Sequence, residues 1–142
     1  MEVPTALVLD EHLLGVRIGL EHRGIVVRTV EDFRAKSTLD PDVIRAVGRG
    51  MRKAPWILVT MDGTIVKEHP SFDWDRYAIA WVLIDPRARG VAAEQSKNEV
   101  LHRHARAMLA QVPGCHHTYT EGRHYKHPPS LVTQSRRARP FG

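Results

Sequence analysis

Apolar residues along this chain gather in short runs, and three of those runs stop on an aspartate. They are Ala6-Leu7-Val8-Leu9 before Asp10, Ile57-Leu58-Val59-Thr60-Met61 before Asp62, and Trp81-Val82-Leu83-Ile84 before Asp85. Short runs without polar alternation predict strands buried on both faces, as in a parallel sheet covered by helices. After the first strand, over residues 5–9, residues 11–22 set Leu13, Val16 and Leu20 on one helical face before Gly24 stops the helix. The β-branched Ile25-Val26-Val27 predicts a second strand, followed by a polar loop over residues 31–38.

Asp40-Pro41-Asp42 has the signature of a helix start, with an acceptor at the cap, proline at the first position and an acid in the first turn. Val43, Ala46, Val47, Gly50 and Met51 then form a buried stripe. Residues 56–60 predict a third strand and residues 78–84 a fourth, with a loop over 67–77 that carries a short helix near 73–77. Leu101, Ala105, Met108 and Val112 recur at helical spacing, so residues 92–111 predict one long amphipathic helix. Strands alternating with helices predict an α/β fold, a three-layer α/β/α sandwich around a mostly parallel sheet. From Pro113 the composition shifts to His, Arg, Pro, Ser and Thr, which reads as a separate tail over residues 113–142 behind a domain over 1–112. An edge strand is expected near residues 116–120, and partial disorder after Gln134.

Composition sharpens the picture in two ways. A chain of 142 residues with 42% hydrophobic and 26% charged positions suits one soluble domain. A single cysteine, Cys115, rules out an internal disulfide, and neither a basic leader nor a run long enough for a membrane span is present, so a cytoplasmic location is expected. The net charge of +5 hides a split: residues 1–85 hold 11 Lys/Arg against 13 Asp/Glu, and residues 86–142 hold 10 against 3. That asymmetry points to a polyanionic partner such as nucleic acid, although a basic tail also serves solubility alone.

Acids at the carboxyl ends of parallel strands sit where open α/β sheets bind ligands. Asp10, Glu11 and Asp62 fall there, and Asp40 heads a helix that starts from the same edge. Gathered carboxylates repel one another unless a hard cation neutralises them, which suits Mg²⁺ or Mn²⁺ together with phosphate oxygens. Such a cation makes bound water acidic and stabilises charge developing in phosphodiester hydrolysis. Each acid also has a plainer use. Asp40 serves as a cap, Asp42 complements the helix dipole, Asp62-Gly63 suits a turn, and Asp85 before Pro86 opens one. His116, His117, His124 and His127 fit no standard zinc spacing; with Tyr119, Arg123, Tyr125 and Lys126 they read as RNA contacts or as surface residues. Nothing in the sequence organises a base to make Cys115 a nucleophile.

Leu7-Val8-Leu9-Asp10-Glu11, then Glu21-His22-Arg23-Gly24-Ile25-Val26-Val27, then Trp56-Ile57-Leu58-Val59-Thr60-Met61-Asp62 together resemble the PIN-like (PilT N-terminus) family of VapC-type toxins. The likeness is ordered over about 60 residues, looser to residue 111, and does not cover the rest. It implies a PIN-like fold and a metal-dependent endoribonuclease, the toxin of a toxin–antitoxin pair, using Mg²⁺ or Mn²⁺. By this resemblance Asp10, Asp40 and Asp62 are the metal-holding acids and Thr60 the hydroxyl that orients a carboxylate or water. Asp42 is an alternative register for Asp40, and Glu11 and Asp85 are candidates for a fourth acid. Met61 stands where the family commonly has arginine, and Gly63-Thr64 where it often has a further acid. The expected partners are RNA, held by Arg123, His124, Lys126, Arg136 and Arg137, and an antitoxin protein; no membrane is expected, and homodimerisation is left open.

Three rivals share part of the pattern. Met61-Asp62-Gly63-Thr64 is similar to the haloacid-dehalogenase phosphatase motif, but Thr60 stands where that chemistry needs a nucleophilic aspartate. A response-regulator receiver also has acids after its first and third strands, but needs a lysine after the fifth that is missing here. A PIN-like module that binds RNA or protein without cleaving it is the third, because fold does not dictate function.

Overall fold

The structure is a computed structural model that describes residues 5–33, 40–52 and 54–127, with the side chains of residue 40 and residues 125–127 left aside. Its centre is a six-stranded sheet in the order β2-β1-β3-β4-β5-β6. Strands β1 (Ala6–Leu9), β2 (Val27–Thr29), β3 (Trp56–Thr60), β4 (Ile79–Val82) and β5 (His116–Tyr119) are all parallel. Only β6 (His124–His127) runs the other way, paired to β5 by a tight reversal in which Thr120 N donates to the Arg123 carbonyl. The expected α/β sandwich with a mostly parallel sheet is therefore what the chain forms.

Two apolar layers explain why the runs lack alternation. On one face Leu7, Leu9, Ile57, Val59, Ala80 and Val82 pack with Leu13, Val16 and Leu20 and with Val100, Leu101, Ala105 and Met108 of α4 (Gly90–Leu109). On the other, Ala6, Val8, Leu58, Ile79 and Trp81 meet Ile44, Val47 and Met51 of α2 (Asp40–Met51) and Trp74. Every residue of β1 and β4 is buried, as a central parallel strand requires.

Several expected boundaries move, for local reasons. Residues 11–22 form not one helix but a 3-10 helix, Glu11–Val16, followed by α1 (Arg17–His22), with Leu13, Val16 and Leu20 still buried. Gly24 takes a left-handed φ of 79°, and the chain uses Ile25 and Val26 to reach β1, so β2 begins at Val27 rather than Ile25. The region expected as loop opens with a 3-10 turn, Val30–Phe33; residues 34–39 lie outside the described part. Between β3 and β4 the chain makes α3 (Ile65–Glu68), which carried no periodic signal because it is a single turn. The short helix expected near 73–77 is a 3-10 turn, Trp74–Arg76. Strand β4 stops at Val82, leaving Leu83 exposed, and α4 stops at Leu109, leaving Val112 56% exposed.

The largest difference lies beyond Pro113. Strand β5 is not an edge but is flanked by β4 and β6, so the sheet continues through residues 116–127, across the boundary expected at 112/113. Its polar letters concealed it, because His116, His117, Thr118 and Tyr119 are all buried. The expectation of disorder after Gln134, like Arg136 and Arg137, falls outside the described residues. Among the described residues no helix is long and apolar enough to cross a membrane.

Candidate active site

The order β2-β1-β3-β4-β5 places the reversal of strand order between β1 and β3, where loops diverge at the carboxyl edge. Asp10 follows β1 and Asp62 lies two residues past β3, and these strands pair directly with Leu9 beside Val59. Asp10 and Asp62 thus stand at the carboxyl ends of two paired strands, at the switch point of the sheet.

Thr60 ties them together. Its side chain, buried to 1% exposure, donates from Oγ1 to Asp10 Oδ2 at 2.8 Å and accepts from Asp62 N at 3.1 Å. Asp10 Oδ1 accepts from Glu11 N at 2.8 Å, capping the 3-10 helix, so both carboxylate oxygens are oriented by donors. Asp62 Oδ1 accepts from Thr64 N at 3.0 Å and lies 2.9 Å from Thr64 Oγ1. Trp81 Nε1 donates to the Asp62 carbonyl at 2.8 Å, anchoring that loop to β4. Asp10 thus caps a helix and Asp62 braces a turn, and each keeps lone pairs for another partner, since a carboxylate oxygen accepts more than one bond.

Glu68 joins this group. Its Oε1 meets Thr64 Oγ1, the hydroxyl that also faces Asp62 Oδ1, so Asp62 and Glu68 share one threonine. The sequence passed over Glu68 because it lies in the one-turn α3; the available signal was its place six residues after Asp62, on the same loop. Hard oxygen donors from Asp10, Asp62 and Glu68 are the chemistry that Mg²⁺ or Mn²⁺ takes. Among the described residues, however, no three of His, Cys, Asp or Glu converge tightly enough to hold a metal on their own. Asp40 begins α2, whose start belongs to the same edge by topology, while its side chain lies outside the described set.

The remaining acids go elsewhere. Asp42 pairs with Arg45 at 3.1 Å, one turn along α2. Glu11 is exposed with His12 3.7 Å away. Asp85 closes a turn, its carbonyl accepting from Ala88 N and its Oδ1 from Arg87 N, both at 2.9 Å. The Arg87 amide, helped by its guanidinium, holds the Asp85 carboxyl below its usual range. The plain turn reading of Asp85 fits this geometry, and the residue has no contact with Asp10 or Asp62 among the described bonds.

The candidate RNA contacts divide. Arg123 and His124 are exposed beside the β5–β6 turn, and Lys126 lies in β6 opposite His117. His116 and Tyr119 are fully buried and His117 is 8% exposed, so none of the three presents a face for stacking bases. Imidazole His116 Nε2 lies 3.0 Å from the Trp74 carbonyl, and Tyr119 donates to Gln111 Oε1 at 2.8 Å. Burial raises the Tyr119 phenol well above its ordinary value. These residues close the core at the end of the sheet; their polar heads had suggested surface. Compared with protein-family profiles, with curated proteins and with solved structures, the chain matches none.

Proposed function

We propose that the chain is a metal-dependent endoribonuclease of PIN-like fold that hydrolyses RNA phosphodiester bonds, the toxin of a type II toxin–antitoxin pair. One observation carries the reading: the buried Thr60 hydroxyl couples Asp10 to Asp62 at the switch point of the sheet. Asp10, Asp62 and Asp40 would hold Mg²⁺ or Mn²⁺, and Glu68 stands where a further acid would serve. Bound there, the ion supplies Lewis acidity toward the phosphodiester and an acidified water. Thr60 and the Glu11 amide orient the Asp10 carboxylate, and Thr64 that of Asp62, so the rotamer of each acid is held before an ion would bind. The excess of positive charge after residue 85, including exposed Arg123, would hold the RNA backbone, and an antitoxin would cover the acidic edge. The test is end-labelled single-stranded RNA incubated with tag-free protein. Cleavage restored to EDTA-treated protein by Mg²⁺ or Mn²⁺ supports the reading, and cleavage that persists in EDTA overturns it.

A second reading rests on strand order. The order 2-1-3-4-5 with acids after β1 and β3 is also that of phosphoacceptor receivers, in which Asp62 would take a phosphoryl group. The loop after β5, Thr120-Glu121-Gly122-Arg123, lacks the lysine such a site needs. A mass gain of one phosphoryl group from acetyl phosphate, lost in Asp62→Asn, would favour this reading over the nuclease.

A further inference from the structure

A second set of chemistry-bearing side chains sits two strands away from the acids, on the β5–β6 hairpin. Tyr119 and His124 are directly opposed in register, and the strand alternation brings His117 onto the same face, toward α4. There His117 Nδ1 and His124 Nε2 are 2.6 Å apart. The ring centroids are 4.8 Å apart at an interplanar angle of 26°. That separation is the nitrogen gap plus one ring radius on each side, so the nitrogens meet head-on in nearly coplanar rings rather than face to face. Two imidazole nitrogens aimed at each other this closely are joined by one hydrogen, as an N–H···N bond between suitable tautomers, and the same two lone pairs converge on a point that a metal ion can take in its place.

We propose that this pair binds a borderline-soft divalent transition metal, of the Zn²⁺, Ni²⁺ or Cu²⁺ class, which replaces the shared proton. Imidazole nitrogens select these ions over Mg²⁺ and Mn²⁺. With metal–nitrogen bonds of about 2.0–2.1 Å and tetrahedral angles, the nitrogens need about 3.3 Å between them. The hairpin must therefore open the present 2.6 Å contact modestly. His124 can supply that movement because it is exposed, while His117 is 8% exposed and held from the side by the Tyr119 hydroxyl at 3.3 Å. His104 of α4 packs 6.2 Å from the His124 ring, but its Nε2 is engaged 2.7 Å from the Thr120 carbonyl, so water completes the coordination. The ion would staple β6 to β5 at the end of the sheet, apart from the Asp10 and Asp62 carboxylates.

Titration of the tag-free full chain with ZnCl₂, NiCl₂ or CuCl₂ at pH 7.5, followed by calorimetry and thermal melting, tests this. With excess Mg²⁺ present to compete at the carboxylates, a binding step that Mg²⁺ does not displace should take one equivalent and raise the melting temperature, and Cu²⁺ in that step should show two coordinated nitrogens by electron paramagnetic resonance. His124→Gln, at an exposed position, should weaken binding roughly tenfold or more, whereas His104→Gln should leave it nearly unchanged. Unaltered binding in His124→Gln, with its circular dichroism spectrum intact, would overturn the proposal. So would a failure of all three metals to bind, which would leave the pair joined by an N–H···N hydrogen bond alone.

Discussion

Thr60 is the residue on which the site's geometry turns, because one buried hydroxyl serves a carboxylate and an amide on adjacent strand ends. Replacing it with valine leaves both partners short of a bond, a loss of about 1–3 kcal/mol for buried polar groups. Thr60→Val should therefore lower unfolding stability by that order and slow RNA cleavage, while Thr60→Ser restores both; parallel urea melts and cleavage rates measure the two effects. Asp85→Asn should leave cleavage unchanged, since Asp85 bonds within its own turn to Arg87. A cleavage rate that fell with Asp85→Asn would return this residue to the site. Asp10 and Asp62 were legible in the sequence because each closely follows a short, mostly apolar strand. Glu68 was not, since a one-turn helix leaves no periodicity and its link to Asp62 passes through Thr64, a contact only the folded loop makes.

At the scale of elements, α1 and α4 lie together where Gly19 faces His102: a Cβ at residue 19 would stand 2.9 Å from His102 Nε2. Arg23 closes the end of this contact, bonding the His102 carbonyl at 2.6 Å and its Nδ1 at 3.2 Å. Burial, and secondarily the Arg23 charge, lowers the His102 pKa below 6.5. Folded protein thus disfavours the imidazolium form, so the stability tied to His102 is present above pH 6.5 and drains away as pH falls through the lower folded value. Chemical denaturation between pH 7.5 and 5 should show wild type losing stability that His102→Gln keeps; parallel curves would contradict this. The same packing explains what the sequence revealed of these helices. Leu101, Ala105 and Met108 are buried as their spacing predicts, but Val112 follows the helix end at Leu109 and is exposed. Strand β5 hid because its buried letters are two histidines, a threonine and a tyrosine, of which His116 meets the Trp74 and Tyr77 carbonyls, His117 the His124 ring, and Tyr119 donates to Gln111.

For the molecule as a whole, the decisive fact is topological: strands from both ends of the chain complete one sheet. Removing residues 113–142 would strip β5 and β6 and expose β4, whose four residues are all buried. That truncation should fail to fold, by circular dichroism, whereas Arg136→Ala with Arg137→Ala should weaken RNA binding and make it less salt-dependent. A folded, stable fragment 1–112 would contradict the continuity of the sheet. The alternation of strands and helices was readable from the apolar runs, whereas the strand order was not, since nothing in a run names its neighbour. That order sets Asp10 and Asp62 at the ends of two paired strands bridged by Thr60, which makes a shared chemical task for them the central claim. Its most direct test is the Mg²⁺- or Mn²⁺-dependent cleavage rate of one labelled RNA by wild type, Asp10→Asn and Asp62→Asn at equal concentration, each first shown to be folded. Loss of cleavage by roughly a hundredfold or more in both variants is the predicted result. Cleavage that survives in either folded variant would contradict it.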